Sequence, residues 1–322
     1  MWVLVGDIGG SNIRLTACQI LGRKKVQLSH SFSCETVSVR TLSEVVNIYL
    51  RRHPELFFEK GVFAVAAPTN GTHASLTNAD WHANVHNLPF PSRLLNDLEA
   101  AGWGVLQKDL PKKVLWMGSS LAEELESSLL GVGTGLGLAH CFPNNSLVSA
   151  TEFGHVSFAP FDALTLELWT WWRERTGRRL TIEDVCSGRG LHNLVDFCTH
   201  QGIEQPSEWS LEDSEQFDWG ERLSKNAEST FSKAVWKLFF SILGAVCGDV
   251  IVGNRSQYLF LCGGVVEKNV HLFTEHQAVF EHAMKDKAPM THLVEEASVL
   301  LFTESKLQQY GCGIWYAHQQ EN

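Results

Sequence analysis

The chain has 322 residues and a formal net charge of −10, with 44% hydrophobic and 19% charged residues. A chain of this length predicts two domains of about 100–200 residues each. The acidic balance and the lack of a Lys/Arg-rich block argue against nucleic acid or an anionic membrane surface as a partner. The composition therefore predicts a globular protein that binds a small molecule.

The eight cysteines stand at least twelve positions apart, so the sequence contains no C-x-x-C metal or redox motif. Most have apolar neighbours, which is typical of reduced, buried thiols. The first residues lack the basic region of a secretion signal, and the longest apolar stretch, at 238–248, is shorter than the ~20 residues of a membrane helix. These features predict a cytoplasmic protein without a membrane segment.

Strands and helices alternate in the first third of the chain. Apolar side chains alternate on both sides of Gly9-Gly10, which predicts two strands joined by a tight turn. In chain order, the predicted elements are these two strands within 1–20, a helix within 40–53 that Pro54 ends, a buried strand at 61–68, and a short strand at 92–97 that runs into a helix at Asn96 or Asp97.

A second strand, glycine turn and strand are predicted at 129–142, after a strand at 114–118 and an acidic linker at 121–128. Because the same arrangement occurs near Gly6 and near Gly131, the sequence suggests that two domains share one architecture. The remaining predicted elements are helices at 162–176, 181–200 and 229–252, a polar loop at 200–220, and a strand at 258–266 that ends in glycines.

Glycine turns that follow strands can hold phosphate groups, because several backbone N–H groups converge on one anion. The sequence has no Gly-Lys pair, which excludes a Walker A loop, and Leu136 stands where a dinucleotide-binding loop needs its third glycine. Asp7 precedes the first turn and could bind Mg²⁺ directly or through water. Ordinary hairpin turns and a turn-forming aspartate explain each feature when it is taken alone.

Three motifs together resemble those of a known superfamily. DIGGSN at 7–12, GVGTGLG at 131–137 and CGGVV at 262–266 are similar to the phosphate 1, phosphate 2 and adenosine motifs of the actin-like sugar kinases. More narrowly, the chain resembles the bacterial ATP-dependent glucokinases, with Ser11 where that family has threonine. The spacing of the cysteines excludes the zinc motif of the repressor/kinase branch of the same fold.

The resemblance implies an α/β, two-lobed actin-like ATPase (ribonuclease H-like) fold with a cleft between a small and a large domain. The small domain would comprise 1–108 plus about 303–322, and the large domain 109–302. ATP and Mg²⁺ are the implied cofactors, with Asp7 near the metal, directly or through water. The implied ATP-binding residues are Asp7, Gly9, Gly10, Ser11, Asn12, Gly131, Gly133, Thr134, Gly135, Gly263 and Gly264.

The family also carries a set of sugar-binding residues that this sequence matches. The resemblance implies Asp97 as the base that faces the 6-hydroxyl of glucose, and sugar hydroxyls suit carboxylate, amide and imidazole partners. The implied sugar ligands are Asn96, Asp97, Glu152, His155 and Glu183. Phe153 departs from the small residue usual between the glutamate and the glycine of this motif, which leaves the hexose open.

Each sugar ligand also has a purely structural interpretation. Asn96 and Asp97 fit a helix cap and a first-turn acid, and Glu183 fits a first-turn acid of a helix that starts near Thr181. Glu152 and His155 fit a polar turn. Only their occurrence together, in the order of the family, favours the sugar site.

The function implied by the resemblance is ATP-dependent phosphorylation of D-glucose at the 6-hydroxyl to glucose 6-phosphate and ADP, the first step of glycolysis. The implied partners are glucose and ATP, without nucleic acid or membrane, and family members are commonly homodimers. One alternative is a kinase for a related hexose or amino sugar. Another, of a different class, is a non-catalytic sugar-sensing protein on the same fold.

Overall fold

The computed structural model describes residues 1–76, 81–107, 109–119, 126–142, 147–206, 209 and 218–320. Contacts divide the chain into two units. The first unit is Met1–Pro111, Ala139–Ala150 and Glu304–Asn322, and the second is Lys112–Leu138 and Thr151–Thr303. The domain boundaries expected from the sequence stay a prediction, and the contact grouping differs from them mainly in placing 139–150 with the first unit.

The described residues form strands and helices in a mixed α/β order. The strands are β1 (Trp2–Ile8), β2 (Asn12–Gly22), β3 (Lys25–Glu35), β4 (Lys60–Val65), β5 (His73–Ser75), β6 (His82–Asn84), β7 (Ser92–Asn96), β8 (Lys112–Trp116), β9 (Ser127–Val132), β10 (Leu136–Phe142), β11 (Leu147–Thr151), β12 (Tyr258–Cys262) and β13 (Ser298–Phe302). The helices are α1 (Leu42–Arg52), α2 (Asp97–Gly104), α3 (Ala163–Thr176), α4 (Gly188–His200), α5 (Trp219–Lys225), α6 (Thr230–Asn254), α7 (Gly264–Asn269), α8 (Phe273–Lys285), α9 (Thr291–Glu296) and α10 (Leu307–Gln319).

The first unit contains a five-stranded sheet in the order β3-β2-β1-β4-β7. β2 runs antiparallel to β1, whereas β1, β4 and β7 run parallel to one another. The carboxyl ends of β1 and β7 therefore lie at the same edge of the sheet, with β4 between them. Parallel strands buried on both faces read as nearly continuous apolar runs, as β4 does.

Helices α2 and α10 pack closely in the first unit because glycines occupy the contact. A Cβ atom at Gly311 would collide with the carbonyl oxygen of Ala100, so any larger residue would push the two helices apart. Helix α1 covers another part of the core through Leu42, Val45 and Tyr49. It begins at the cap Thr41, whose side chain accepts a hydrogen bond from the Glu44 N–H.

The second sheet has the order β11-β10-β9-β12-β13-β8. β9, β12 and β13 are parallel neighbours, and the apolar helix α6 lies in the core of the second unit. With 25 residues, α6 is long and apolar enough to cross a membrane, but 78% of its most apolar window is buried inside the protein. The helix predicted at 229–252 is therefore confirmed as a core helix, although the apolar stretch at 238–248 understated its apolar length.

Most predicted elements are confirmed, including the two strand–turn–strand arrangements and the helix that Asp162 caps. The helix predicted at 181–200 is wrong at its start, because α4 begins at Gly188. Thr181 instead donates its backbone N–H and its hydroxyl to the Asp184 carboxylate, and Ser187 caps the helix. The strand predicted at 258–266 ends at Cys262 and is followed by α7.

Two further predictions fall partly outside the described residues. They are the acidic linker, of which 121–125 is not described, and the polar loop at 200–220, of which 207, 208 and 210–217 are not described. At the C-terminal end of the acidic linker β9 begins at Ser127, and at the C-terminal end of the polar loop α5 begins at Trp219.

Candidate active site

Asp7 lies near the carboxyl end of β1. It is level with Ala64 on β4, which is itself level with Leu95 on β7, so Asp7 and the Asn96-Asp97 pair share one edge of the sheet. Arg14 on β2 places its Nη1 atom 3.3 Å from the Asp7 carboxylate. Burial raises the pKa of Asp7, and Arg14 opposes this rise.

Asn96 caps α2, as one of the two interpretations of this residue predicts. Its side-chain oxygen accepts hydrogen bonds from the N–H groups of Leu98 at 3.0 Å and Glu99 at 3.2 Å. Its amide nitrogen lies 3.4 Å from the carbonyl oxygen of Ala67. Capping fixes the start of the helix and thereby the position of the next residue, Asp97.

Asp97 is half-buried at the first position of α2. Burial raises the pKa of Asp97 to about 6; the Leu98 N–H opposes this rise, and the negative charge of Asp7 adds to it. A carboxylate with a pKa near neutrality is mostly ionised at pH 7 and still basic enough to accept a proton from a hydroxyl. Asp97 therefore has the properties of a general base.

The first glycine turn is held by hydrogen bonds from one buried threonine. The Thr36 hydroxyl donates to the Gly9 carbonyl at 2.7 Å, and the Thr36 N–H donates to the Ser11 carbonyl at 2.9 Å. A Cβ atom at Gly10 would have no neighbour within 4 Å, so the tip of the turn faces open space. Thr36 was missed by the sequence reasoning because it lies far from the motif along the chain.

The second glycine turn joins β9 to β10 and is held by the start of α4. The N–H of Gly188 donates to the Gly133 carbonyl at 2.8 Å, and that of Arg189 to the Thr134 carbonyl at 3.3 Å. A Cβ atom at Gly133 would have no neighbour within 4 Å, whereas one at Gly135 would lie 2.5 Å from a Glu183 oxygen. Gly133 therefore faces open space. Because Gly135 has no side chain, the Glu183 carboxylate can approach the turn closely.

The third glycine motif lies beside the second. Gly263 has a φ of +105°, a conformation that favours glycine, and its Cβ atom would lie 2.5 Å from the Val132 carbonyl oxygen. Gly133, Thr134 and Gly264 line a cavity of about 970 Å³ in the second unit. The predicted phosphate 2 and adenosine motifs thus meet at one cavity of the second unit.

Glu152 and His155 occupy a short exposed turn of the second unit. Their side chains are 84% and 62% exposed, and His155 Nε2 lies 3.8 Å from a Glu152 oxygen. A Cβ atom at Gly154, between them, would collide with the Leu136 carbonyl oxygen, so glycine brings this turn against β10. Phe153 packs against the apolar core.

Glu183 connects this turn to the second glycine turn. Its backbone N–H donates to the Gly154 carbonyl at 2.9 Å, and its Oε2 atom accepts the Leu136 N–H at 2.8 Å. Its other oxygen accepts a hydrogen bond from the Arg189 guanidinium. Because α4 begins only at Gly188, the interpretation of Glu183 as a first-turn helix acid is wrong.

Glu183 and His155 line a second cavity, of about 700 Å³, which also lies within the second unit. Asp184, Asn193 and three arginines share its wall, and Arg189 lines both this cavity and the larger one. The predicted site residues therefore form two groups. Asp7, Asn96, Asp97 and the first glycine turn belong to the first unit, and all the others belong to the second.

Comparison with known proteins decides the family. A sequence model of the Glucokinase family matches residues 4–319. The chain belongs to the glucokinase family. Among its relatives, a glucokinase from Hahella chejuensis is 28% identical over 317 residues, which is 94% of this chain and 93% of the relative.

Solved glucokinase structures share the fold of this family member. The glucokinase of an Antarctic psychrotroph has a TM-score of 0.82 at 21% identity and covers 99% of both chains. The glucokinase of Balamuthia mandrillaris in complex with glucose scores 0.79 at 20% identity, covering 99% of this chain and 93% of its own. A ROK-family glucokinase from Streptomyces griseus in complex with glucose and AMPPNP scores 0.64 at 16% identity, covering 97% and 98%. The predicted α/β, actin-like sugar kinase fold is confirmed.

The residues at the sheet edge fit a magnesium ion that arrives with a nucleotide. Within the described residues, no three or more His, Cys, Asp or Glu side chains are grouped to hold a metal. Mg²⁺ usually keeps several waters and takes only one or two carboxylates beside substrate phosphates. Asp7, next to the open tip of the first glycine turn, would be one such carboxylate.

Three charged residues that line the larger cavity were not predicted from the sequence. Arg189, Asp218 and Lys268 line the larger cavity, and each comes from a different helix or helix cap. Arg189 stands only six positions after Glu183, so the segment TIEDVCSGRG did offer a pointer to it. Asp218 and Lys268 are brought together only by the fold, at 3.7 Å.

Proposed function

We propose that this glucokinase-family chain transfers the γ-phosphoryl group of ATP to the 6-hydroxyl of D-glucose. The observation that carries the proposal is Asp97, a carboxylate with a pKa raised to about 6 at the sheet edge that also holds Asp7. Membership of the family and the neighbours solved with glucose and with AMPPNP support the two substrates. A sugar sensor without catalysis has no need for such a base.

Asp97 orients the hydroxyl and takes its proton. The 6-oxygen forms a bond to the γ-phosphorus while the bond to the leaving ADP oxygen breaks, and the hydroxyl proton passes to the Asp97 carboxylate. In a loose phosphoryl-transfer transition state this proton moves late, so orientation is a large part of the contribution. A general base of this kind typically contributes about 10²–10⁴-fold to the rate.

The nucleotide is bound by backbone and by a few side chains. Asp7, Gly9, Gly10, Ser11 and Asn12 would bind the phosphates and their Mg²⁺ from the first unit. From the second unit Gly131, Gly133, Thr134, Gly135, Gly263 and Gly264 would contact the nucleotide, and the open positions at Gly10 and Gly133 leave room for it. Bound Mg²⁺ supplies charge neutralisation of the phosphates.

The proposed sugar ligands differ in how far their side chains are exposed and hydrogen-bonded. Glu183 is fixed by three hydrogen-bonded neighbours, whereas Glu152 and His155 are exposed. We propose that Glu183 fixes the position of the sugar and that Glu152, His155 and Asn96 complete its hydroxyl contacts. Because Phe153 points into the core, its size does not intrude on the exposed turn and is compatible with glucose.

The cysteines bear on the location of the protein, and the family bears on its assembly. All eight cysteines are thiols rather than disulfides and seven are buried, which fits a reducing, cytoplasmic compartment. A homodimer stays a prediction, which light scattering of the purified protein tests. A mass twice that of the chain would support it.

The proposed reaction is tested by ADP release from the purified protein with Mg-ATP and a panel of sugars. The panel is glucose, mannose, fructose, glucosamine and N-acetylglucosamine. We expect glucose to give the highest kcat/KM. Release that no sugar raises above the sugar-free blank would contradict a kinase, and a higher value for another sugar would replace glucose as the substrate.

A further inference from the structure

Arg189 occupies a position shared by the two cavities of the second unit. It is the second residue of α4 and lines both the cavity of about 970 Å³ and the cavity of about 700 Å³. Its backbone is fixed, since its N–H donates to the Thr134 carbonyl of the glycine turn. Its side chain is 59% exposed, and its guanidinium donates to the Glu183 carboxylate.

The larger cavity contains other cations, but they differ from Arg189 in their partners. Lys225 lies 2.6 Å from Glu221 and Lys268 lies 3.7 Å from Asp218, and all four residues line this same cavity. Glu183, the partner of Arg189, lines only the smaller cavity. The ion pair of Arg189 therefore spans the wall between the two cavities.

The guanidinium also lies beside the glycine turn that would bind phosphate. Arg189 Nη2 is 3.7 Å from the position of a Cβ atom at Gly135. Phosphate oxygens match the planar fork of an arginine at least as well as a carboxylate does, and they carry more charge. The Arg189 side chain is 59% exposed, so an incoming polyphosphate can reach its guanidinium, whereas the Glu183 side chain is only 14% exposed and needs a new partner for the oxygen that Arg189 leaves.

We propose that Arg189 is a phosphate ligand of the nucleotide and that it leaves Glu183 when the nucleotide binds. This inference rests on the proposed function. Glu183 stays in place after the exchange, because its Oε2 atom still accepts the Leu136 N–H at 2.8 Å. Its Oε1 atom becomes available to a sugar hydroxyl. Nucleotide binding therefore raises the affinity for glucose, and by linkage glucose raises the affinity for the nucleotide by the same factor.

The test is calorimetric titration of glucose with and without saturating Mg-AMPPNP. The variants are Arg189→Met, which removes the charge, and Arg189→Lys, which keeps it without the fork. Arg173→Met is the matched control, since Arg173 is exposed on α3 and lines neither cavity. We expect AMPPNP to tighten glucose binding at least about fivefold in the wild type and in the control.

Arg189→Met should abolish this difference and bind glucose alone at least as tightly as the wild type does, because Glu183 is already free. It should also bind AMPPNP about tenfold more weakly. Arg189→Lys should keep part of the coupling between AMPPNP and glucose. If Arg189→Met unfolds, Arg189→Lys is compared with the wild type in its place.

Two results would overturn the proposal: no coupling in the wild type, or coupling and AMPPNP affinity in Arg189→Met equal to those of the wild type. ADP release with glucose is measured on the same samples. A wild type that releases no ADP contradicts the proposed reaction, whereas normal release with unaltered coupling in Arg189→Met contradicts only the role of Arg189.

Discussion

Asp7 and Asp97 lie at the same edge of the first sheet, and the negative charge of Asp7 adds to the burial that raises the pKa of Asp97 to about 6. Removal of that charge should lower the pKa of Asp97. The two carboxylates are thus linked electrostatically although they are proposed to have different tasks, one toward the phosphates and one toward the sugar.

The pH dependence of the reaction should report Asp97. Because the base must be ionised, log(kcat/KM) for glucose should fall with unit slope below about pH 6. In Asp7→Asn the residual activity should be low, and its acid limb should move to lower pH. If protonation of the nucleotide causes the acid limb of the pH profile, the limb will keep its position in Asp7→Asn. That result would contradict the assignment of the limb to Asp97.

The stability of the protein should also depend on Asp97. Its pKa in the folded protein, about 6, is higher than its ordinary value of 3.8, so the folded state holds the proton more firmly than the unfolded chain does. Its contribution to stability is therefore present below about pH 4 and is lost as pH rises through about 6. Asp97→Asn should raise the Tm at pH 7.5, on the order of 2–4 °C per kcal/mol gained.

The difference in Tm between Asp97→Asn and the wild type should shrink when the scans are repeated near pH 4. Glu44→Gln is the matched control, because Glu44 is likewise an acid in the first turn of a helix. A lower Tm for Asp97→Asn at pH 7.5 would show that Asp97 is chiefly a stabilising helix acid.

Glu183→Gln should affect both sugar binding and stability. Glutamine keeps the shape of the side chain but loses the charge that attracts Arg189 and one acceptor for a sugar hydroxyl. We expect the KM for glucose to rise about tenfold or more. A lower Tm without sugar is also expected, because the ion pair with Arg189 is lost, although the amide oxygen can still accept the Leu136 N–H of the glycine turn.

Glu174→Gln, an exposed change on α3, serves as the control for Glu183→Gln and should alter neither quantity. A fall in Tm with an unaltered KM for glucose would leave Glu183 with a structural role only.

Two glycines should respond differently to alanine. At Gly133 a Cβ atom meets nothing within 4 Å, so Gly133→Ala should keep the Tm and raise the KM for ATP far more than that for glucose. Gly263 has a φ of +105° and a close carbonyl neighbour, so Gly263→Ala should destabilise the protein by about 1–3 kcal/mol. Equal loss of ATP and glucose binding in Gly133→Ala, with a lower Tm, would contradict a phosphate site at this turn.

Local patterns were sufficient to predict much of this fold. The alternation around Gly9-Gly10 predicts β1 and β2, since a strand with one buried face must repeat every second residue. Asp162 caps the start of α3 and Gly177 caps its end, and both caps involve only residues that are near in sequence. The helix start expected near Thr181 was wrong, because the contact between Thr181 and Asp184 forms a turn that is an equally local alternative.

The long-range contacts of the site could not be predicted in the same way. The bond from Thr36 to Gly9 joins residues that the β2–β3 hairpin brings together, and no periodicity encodes it. The ion pair between Glu183 and Arg189 depends on the turn that delays the start of α4. The family resemblance supplied Gly9 and Glu183 as candidates, but only the structure shows that Thr36 and Arg189 are their partners.

The central claim is that Asp97 accepts the proton of the sugar hydroxyl, and the turnover of Asp97→Asn with saturating Mg-ATP and glucose tests it most directly. We expect kcat to fall at least about 10²-fold, because an amide cannot take the proton, while glucose affinity measured by calorimetry stays within about threefold of the wild type. A kcat within about threefold of the wild type would contradict the claim and leave Asp97 as a first-turn acid of α2.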